Sequence, residues 1–282
     1  MTASPSSAAQ AARERLAARL RDIRRDSGLT GEELALRCGW SPSKRSRIEN
    51  ARTPPSDADV QDWCTACGAS DQAADLVAAN RQADQMYVQW RKLHRHGMRR
   101  AQEEVLPLYA RTRRLRVYCS NVVPGILQTE AYATALLSTI ARFQGTPDDA
   151  PVAAASRVER SGVLHEGDRR FAFLLEETVL RYRVGPAETM ASQLGYLLAV
   201  MALPHVSLGI IPAGTRRRMW PLEAFYLFDD RQVSTELLTA AVNVTAPSEV
   251  ATYARAFAEL SKDALHGAPA RALITDVIQT LG

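Results

Sequence analysis

Between Ser41 and Arg52 the chain sets out four cations, Lys44, Arg45, Arg47 and Arg52, with Ser41, Pro42 and Ser43 ahead of them and Asn50 among them. Such a set suits a polyanion. An arginine fork matches the O6 and N7 acceptors of guanine, worth about 1–3 kcal/mol of discrimination between bases, which makes Arg47 the candidate for reading sequence. Lysine is a point charge, so Lys44 more naturally takes a phosphate. Other chemistries have less behind them. Cys64 and Cys67 form a C-x-x-C, but no second Cys or His pair follows at zinc-ligand spacing. Three apart in a helical pattern, they read as small buried side chains, so no metal is expected. The histidines His94, His96, His165, His205 and His266 are scattered, and there is no G-x-S-x-G, Walker loop, G-x-G-x-x-G or H-E-x-x-H. Neither a nucleophile with a positioned base nor a cofactor cradle can be named, and neither an enzyme nor a cofactor is expected.

Positioning those cations takes two short helices and a tight turn. From Arg13 the apolar Leu16, Leu20 and Ile23 recur every three or four residues, predicting a helix that Gly28 ends, behind a Ser/Ala-rich tail over 1–10. Thr30 is an N-cap candidate, and Glu33 completes a capping box. Gly39 limits this second helix to Arg37 or Cys38. Ser41-Pro42 starts a third over about 42–50, with proline at the first helical position, where its missing N–H costs nothing. Thr53-Pro54-Pro55 breaks the chain, and Ser56 caps a fourth helix running through Trp63 and Cys67 to Gly68. This is the pattern of a helix-turn-helix, whose second short helix enters the major groove N-terminal end first. Leu34, Ala35 and Ile48 are predicted to fill the core beneath it, and Ser43, Lys44 and Arg47 to meet DNA. A basic helical bundle that binds protein, with Lys44, Arg45 and Arg47 merely solvated, is the plainer alternative.

The stretch LRDIRRDSGLTGEELALRCGWSPSKRSRIENARTPPS, Leu20 to Ser56, resembles the XRE-type family of phage-repressor-like helix-turn-helix domains, where L-T-x-E-E-L-A and S-x-x-x-x-S-R-I-E-N recur. The resemblance implies that Pro42 and Ser43 lie nearest the base edges and that Asn50 and Arg52 clamp the DNA backbone. It also implies that Thr30 holds a phosphate where the preceding helix begins. Three positions depart from the pattern. Gly31 stands where the family often carries a glutamine that touches DNA. Arg45 stands where valine or isoleucine usually packs: either its stem lies over the core with the head in solvent, or it is an extra DNA contact. Ala51 replaces the common glycine after the helix, predicting an exit either reshaped or strained by about 1 kcal/mol.

At 282 residues the chain exceeds one minimal module, and 46% hydrophobic against 23% charged residues argues against wholesale disorder. No run reaches the ~18 apolar residues of a membrane span, and the polar start MTASPSSAAQAARERL has no apolar signal core, so a cytoplasmic protein off the membrane is expected. Four cysteines are too few for a disulfide scaffold, which points to a reducing compartment. Net charge is +2 over residues 1–70, +5 over 71–120 and −3 over 121–282, so the basic character lies in front. The pattern from Asp71 to His96, with Leu76, Val77, Met86, Val88, Trp90 and Leu93, predicts a long linking helix. Within it Arg91, Arg95 and Arg99 form a stripe that extends a phosphate footprint, lines a dimer groove or is simply solvated.

Beyond about residue 105 short apolar or alternating runs predict strands: Leu115 to Tyr118, Phe171 to Leu175, Val206 to Ile211, Phe225 to Phe228 and Val233 to Leu238. Helices are expected at Glu130 to Arg142, Val152 to Val163, Glu188 to Met201, Glu249 to His266 and Ala268 to Leu281. The words VVPGILQTEAYATALL, RVERSGVLHEG and FAFLLEETVLRYRVG resemble a domain of unknown function that follows the helix-turn-helix in many regulators of filamentous, GC-rich soil bacteria, including Scr-type antitoxin-like regulators. In that family this region is taken to sense something or to bind a small protein encoded beside the regulator. Glu176, Glu177, Arg181 and Arg183 gather at a strand end, as structural ion pairs or as ligand contacts.

The expected fold is α+β. An N-terminal all-α five-helix helix-turn-helix domain over 1–70 is joined by a helical linker over 71–104 to an α+β regulatory and dimerisation domain over 105–282. The expected protein is a homodimeric, sequence-specific transcriptional regulator on a near-palindromic double-stranded operator. The alternative is an antitoxin-like protein that sequesters a small partner protein and autoregulates its own operon.

Overall fold

Capping residues and glycines set the helix limits around the cations. The chain is described by a computed structural model over residues 5–82, 87–89, 94, 97–238 and 240–281. Helix α1 (Pro5–Asp26) begins well before Arg13, because the alanines ahead of the apolar stripe carry helical propensity of their own. It stops before Gly28, whose φ of 73° no ordinary side chain tolerates well. In α2 (Gly31–Arg37) the Thr30 side chain accepts the Glu33 N–H and the Glu33 carboxylate accepts the Thr30 N–H. In α3 (Pro42–Glu49) Ser41 accepts the Lys44 N–H with proline at the first turn, and α4 (Asp57–Ala66) repeats the capping box with Ser56 and Asp59. Leu16, Leu20, Ile23, Leu34, Ile48, Val60 and Trp63 bury together, and the Trp63 indole N–H donates to the Leu20 carbonyl at 2.9 Å.

The continuous helix expected from Asp71 to His96 is not formed. Helix α5 (Ala73–Gln82) ends first, and Tyr87–Gln89 is strand β1. Tyrosine and valine side by side favour the extended chain, and the helical spacing read across them was coincidental. Met86, Trp90, Leu93, Arg91 and Arg95 lie outside the described residues. Arg99 forms an i,i+4 pair with Glu103 at 2.7 Å.

The chain divides into two compact units, one reaching to Tyr87 and including Asn243–Val250, the other holding Val88–Val242 and everything from Ala251 on. In the second unit, α6 (Arg99–Glu104) and α7 (Leu106–Arg111) lead into β2 (Arg114–Cys119), followed by α8 (Glu130–Gln144) and α9 (Ala150–Ser161). Then come β3 (Arg170–Glu176), α10 (Glu177–Arg181), α11 (Ala187–Val200), β4 (Val206–Ile211), β5 (Phe225–Phe228), β6 (Gln232–Glu236), β7 (Ala240–Val244), α12 (Pro247–Ser261), β8 (Leu265–His266) and α13 (Gly267–Gln279), with the end of β7 and the start of α12 counted in the first unit. Among the described residues the strands lie in the order β1-β7-β6-β5-β2-β3-β4-β8. Strands β2, β3 and β4 run parallel, while β5 and β8 are antiparallel to their neighbours. Alternation sorts the faces: Val117, Phe173, Leu175 and Ile210 bury with Leu194, Leu197 and Ile274 of α11 and α13. On the opposite face Phe225 meets Tyr253 of α12 edge-on, with centroids 5.0 Å apart.

The expected mixed second region is thus present, with two corrections. The helix expected to reach His266 ends at Ser261, and Leu265–His266 pairs with Gly209 and Ile210 instead. A Cβ on Gly209 would sit 2.5 Å from the His266 ring, so the glycine is what lets this edge strand approach. Strand β7 had no sequence signal. No helix among the described residues is long and apolar enough to cross a membrane.

Candidate nucleic-acid interface

Helix α3 turns one face inward and leaves its leading edge in solvent. Ile48 and Glu49 are buried, whereas Ser41, Pro42, Ser43, Arg47 and Asn50 are exposed, as is Arg52 just beyond. Leu34 and Ala35 of α2 and Ile48 of α3 form the floor beneath it, as the sequence implied. Among the described residues the side chains of Arg47 and Arg52 have no hydrogen-bond or ion-pair partner, so both guanidinium groups keep their full complement of donors. Asn50 caps the helix, its amide donating to the Ser46 carbonyl at 2.8 Å and to the Ser46 hydroxyl at 3.3 Å.

The other cations are held within the protein. Lys44 Nζ lies 2.5 Å from Asp59 Oδ1 and 4.4 Å from the centroid of the Trp40 ring. Burial raises the Asp59 carboxyl, but the Lys44 hydrogen bond and the Ser56 cap outweigh it and hold it below its usual range. Arg45 resolves its two sequence readings in neither direction: its Nη1 is 2.5 Å from Glu49 Oε2, and its head lies over Gly31. Glu49, 5% exposed, also takes Nε and Nη2 of Arg24 on Oε1 at 2.9 and 2.8 Å. Arg21 donates to the Glu49 carbonyl at 2.6 Å, and Arg24 Nη1 to the Leu29 carbonyl at 2.6 Å. Desolvation works against the Glu49 anion, yet the hydrogen bonds from Arg24 and Arg45 keep its carboxyl below the usual range. The Glu49 carboxylate therefore ties α1, α3 and the head of α2 into one frame.

Thr30 spends its hydroxyl and its N–H on Glu33 Oε2, at 2.7 and 2.8 Å, so an incoming phosphate meets a carboxylate already seated at that helix start. Ala51 has φ 54°, so the exit from α3 keeps the left-handed turn and bears the strain of a Cβ there, of order 1–2 kcal/mol.

From sequence Arg24, Glu49 and Trp40 had no role, and Asp59 only that of an acid near the positive end of its helix. Trp40 and Asp59 had usable signals: Trp40 stands four before Lys44, and Asp59 is the third residue of a capped helix. Glu49 also had signals, as part of the word S-x-x-x-x-S-R-I-E-N and four residues after Arg45, but a glutamate at a helix end reads as solvated, and its burial shows only in the packed chain.

Cys64 is wholly buried, and burial pushes its thiol up to about 11. Of the charges at the end of β3, Glu176 is buried and accepts the Tyr118 hydroxyl at 2.8 Å and the fork of Arg217. Glu177 pairs with Arg181 at 2.7 Å and accepts the Ala213 N–H, while Arg183 is exposed.

Two family models match. One, described as a helix-turn-helix domain, covers residues 15–77. The other, described as a domain of unknown function, DUF5753, covers residues 102–276. No curated protein and no solved structure matches the chain.

Proposed function

We propose that this chain, which belongs to the DUF5753 family and carries a helix-turn-helix domain ahead of that family's domain, is a sequence-specific DNA-binding transcriptional regulator of the cytoplasm. One observation carries the proposal: α3 projects a capped, solvent-exposed leading edge from which Arg47 extends with no side-chain partner among the described residues, supported from behind by a buried ion-pair frame. Arg47 reads a base edge through its fork, Ser43 and Pro42 lie against the neighbouring base, and Arg52 and Asn50 take backbone phosphates as the chain leaves the helix. Lys44 and Arg45 contribute by holding α3 in place rather than by reaching for the duplex, which departs from their expected roles. Two copies reading successive major grooves, ~34 Å apart on a near-palindromic site, supply the length of sequence that one short helix lacks. The second unit provides dimerisation and control, as a binding module and not as an enzyme.

Footprinting of the full-length protein on the DNA upstream of its own gene tests this. Expected is a protected site with two halves one helical turn apart. Protection of a single half-site would sink the dimer, and blank gel shifts with genomic fragments at low ionic strength would sink DNA binding itself.

A further inference from the structure

Two of the three sequence words of the second unit, none of which the proposed function uses, meet in space. PGILQ contributes Gly125 and Gln128, and RVER contributes Arg157 and Arg160 from successive turns of α9. Both guanidinium groups converge on one neutral oxygen: Arg157 Nε donates to Gln102 Oε1 at 3.0 Å and Arg160 Nη1 to the same atom at 3.2 Å. Arg157 Nη1 donates to Gln128 Oε1 at 2.7 Å. Arg160 is 6% exposed, lies 4.9 Å from the Tyr109 ring centroid and has a buried Nε with no hydrogen-bond partner. A Cβ on Gly125 would come within 3.1 Å of Arg160 Nη2.

Two adjacent guanidinium groups, one buried and one half-buried, thus have no carboxylate within ion-pair distance among the described residues. Buried charges are ordinarily paired, and amide oxygens do not neutralise them. Burial and the neighbouring Arg160 hold Arg157 down to about 10. The opposing charge that reaches it, exposed Glu236, acts through space without a hydrogen bond. By contrast Arg217, also in this unit, meets the buried carboxylate of Glu176 directly. Gln128, which accepts from Arg157, also lines a cavity of about 260 Å³ with Thr129, Glu130, Val158, Ser161, His165 and Tyr196; neither arginine lines it, so Gln128 is the link between the pair and that space.

The geometry points to Arg157 and Arg160 as the receptor for the oxyanion of a small molecule, a carboxylate or a phosphate, in the DUF5753 unit. Planar forks recognise both groups bidentately. The site rests on the second unit alone and stands whether or not the front domain binds DNA.

Thermal melting and calorimetry of the full-length protein, with inorganic phosphate and succinate added separately at constant ionic strength, test it. Expected is a saturable stabilisation by at least one of the two. Arg157→Met and Arg160→Met each weaken it by about tenfold or more. Glu236→Gln tightens it by removing the competing charge, and Arg47→Ala leaves it unchanged. A response to phosphate alone assigns a phosphoryl ligand, one to succinate alone a carboxylate. Should either methionine variant fail to fold, protection of Arg157 in the wild type from phenylglyoxal, mapped by mass spectrometry, decides the matter. No saturable response in the wild type, an equal response in both methionine variants, or loss of the response in Arg47→Ala would each overturn the site.

Discussion

The head of Arg45 fills the place that a side chain at position 31 would take: a Cβ built on Gly31 would lie 2.5 Å from Arg45 Cζ and 2.6 Å from Nη2. Two apparent departures from the helix-turn-helix pattern are therefore one exchange. Glycine at 31 gives the Arg45 head its seat beside the carboxylate of Glu49, and any larger residue there would have to push that head aside.

A double-mutant cycle reads that exchange. Gly31→Ala alone pushes the Arg45 head off Glu49 and destabilises the front unit by about 1–2 kcal/mol. In an Arg45→Ala background the same change is harmless, giving a coupling of about 1–2 kcal/mol by urea denaturation. Additive effects would mean that the two positions do not share the space.

Glu49 sets a pH dependence of defined sign. Its carboxyl titrates below the usual 4.5 in the folded chain, so its contribution is fully present above that value. It is lost as pH falls through the lower folded value. Wild type should lose more stability from about pH 5 to pH 3 than Glu49→Gln, which begins about 3 kcal/mol weaker at neutral pH because two arginines lose their counter-charge. Parallel stability curves for the two proteins would contradict the frame.

For DNA, Arg47→Ala should cost about 1–3 kcal/mol on the specific site and far less on random duplex. Arg52→Ala should weaken both and flatten the salt slope by roughly one. Equal losses on both duplexes for Arg47→Ala would remove its base-reading role.

Lys44 offers a separate check because Asp59 already holds it. Lys44→Ala should change the salt slope less than Arg52→Ala does, while Asp59→Asn, which frees the ammonium, should steepen it by up to about one. A full unit lost with Lys44→Ala in gel shifts over a salt series would instead make it a phosphate contact.

The front helices were readable because their limits are written in local chemistry: Thr30 with Glu33, Ser41 with Pro42, Ser56 with Asp59 and the glycines at 28 and 39 each act within a few residues. Strands β2 to β6 were readable for a similar reason, since their alternation follows from burial on two faces. What escaped depends on distant partners. Strand β8 is two residues long and exists because Gly209 admits His266, and β7 has little β-forming pattern of its own. At the interface Arg47 was visible as a cation and the i,i+4 spacing of Arg45 and Glu49 was there to be read, but nothing near Lys44 in the sequence foretold that Asp59, fifteen residues on, would claim it. Ion-pair choice is a property of the packed chain.

The pairing of Leu115 with Phe228 has a bearing on biogenesis. During translation β2 leaves the ribosome long before its antiparallel neighbour β5 is made, so the centre of that sheet waits for most of the polypeptide to emerge. The helices up to Gln82 pack on one another within the first third of the chain and wait only for Asn243–Val250 to complete their unit. Stalled nascent chains digested by protease should gain resistance first at the amino-terminal end, leaving the sheet-forming segments dependent on chaperones in the interval.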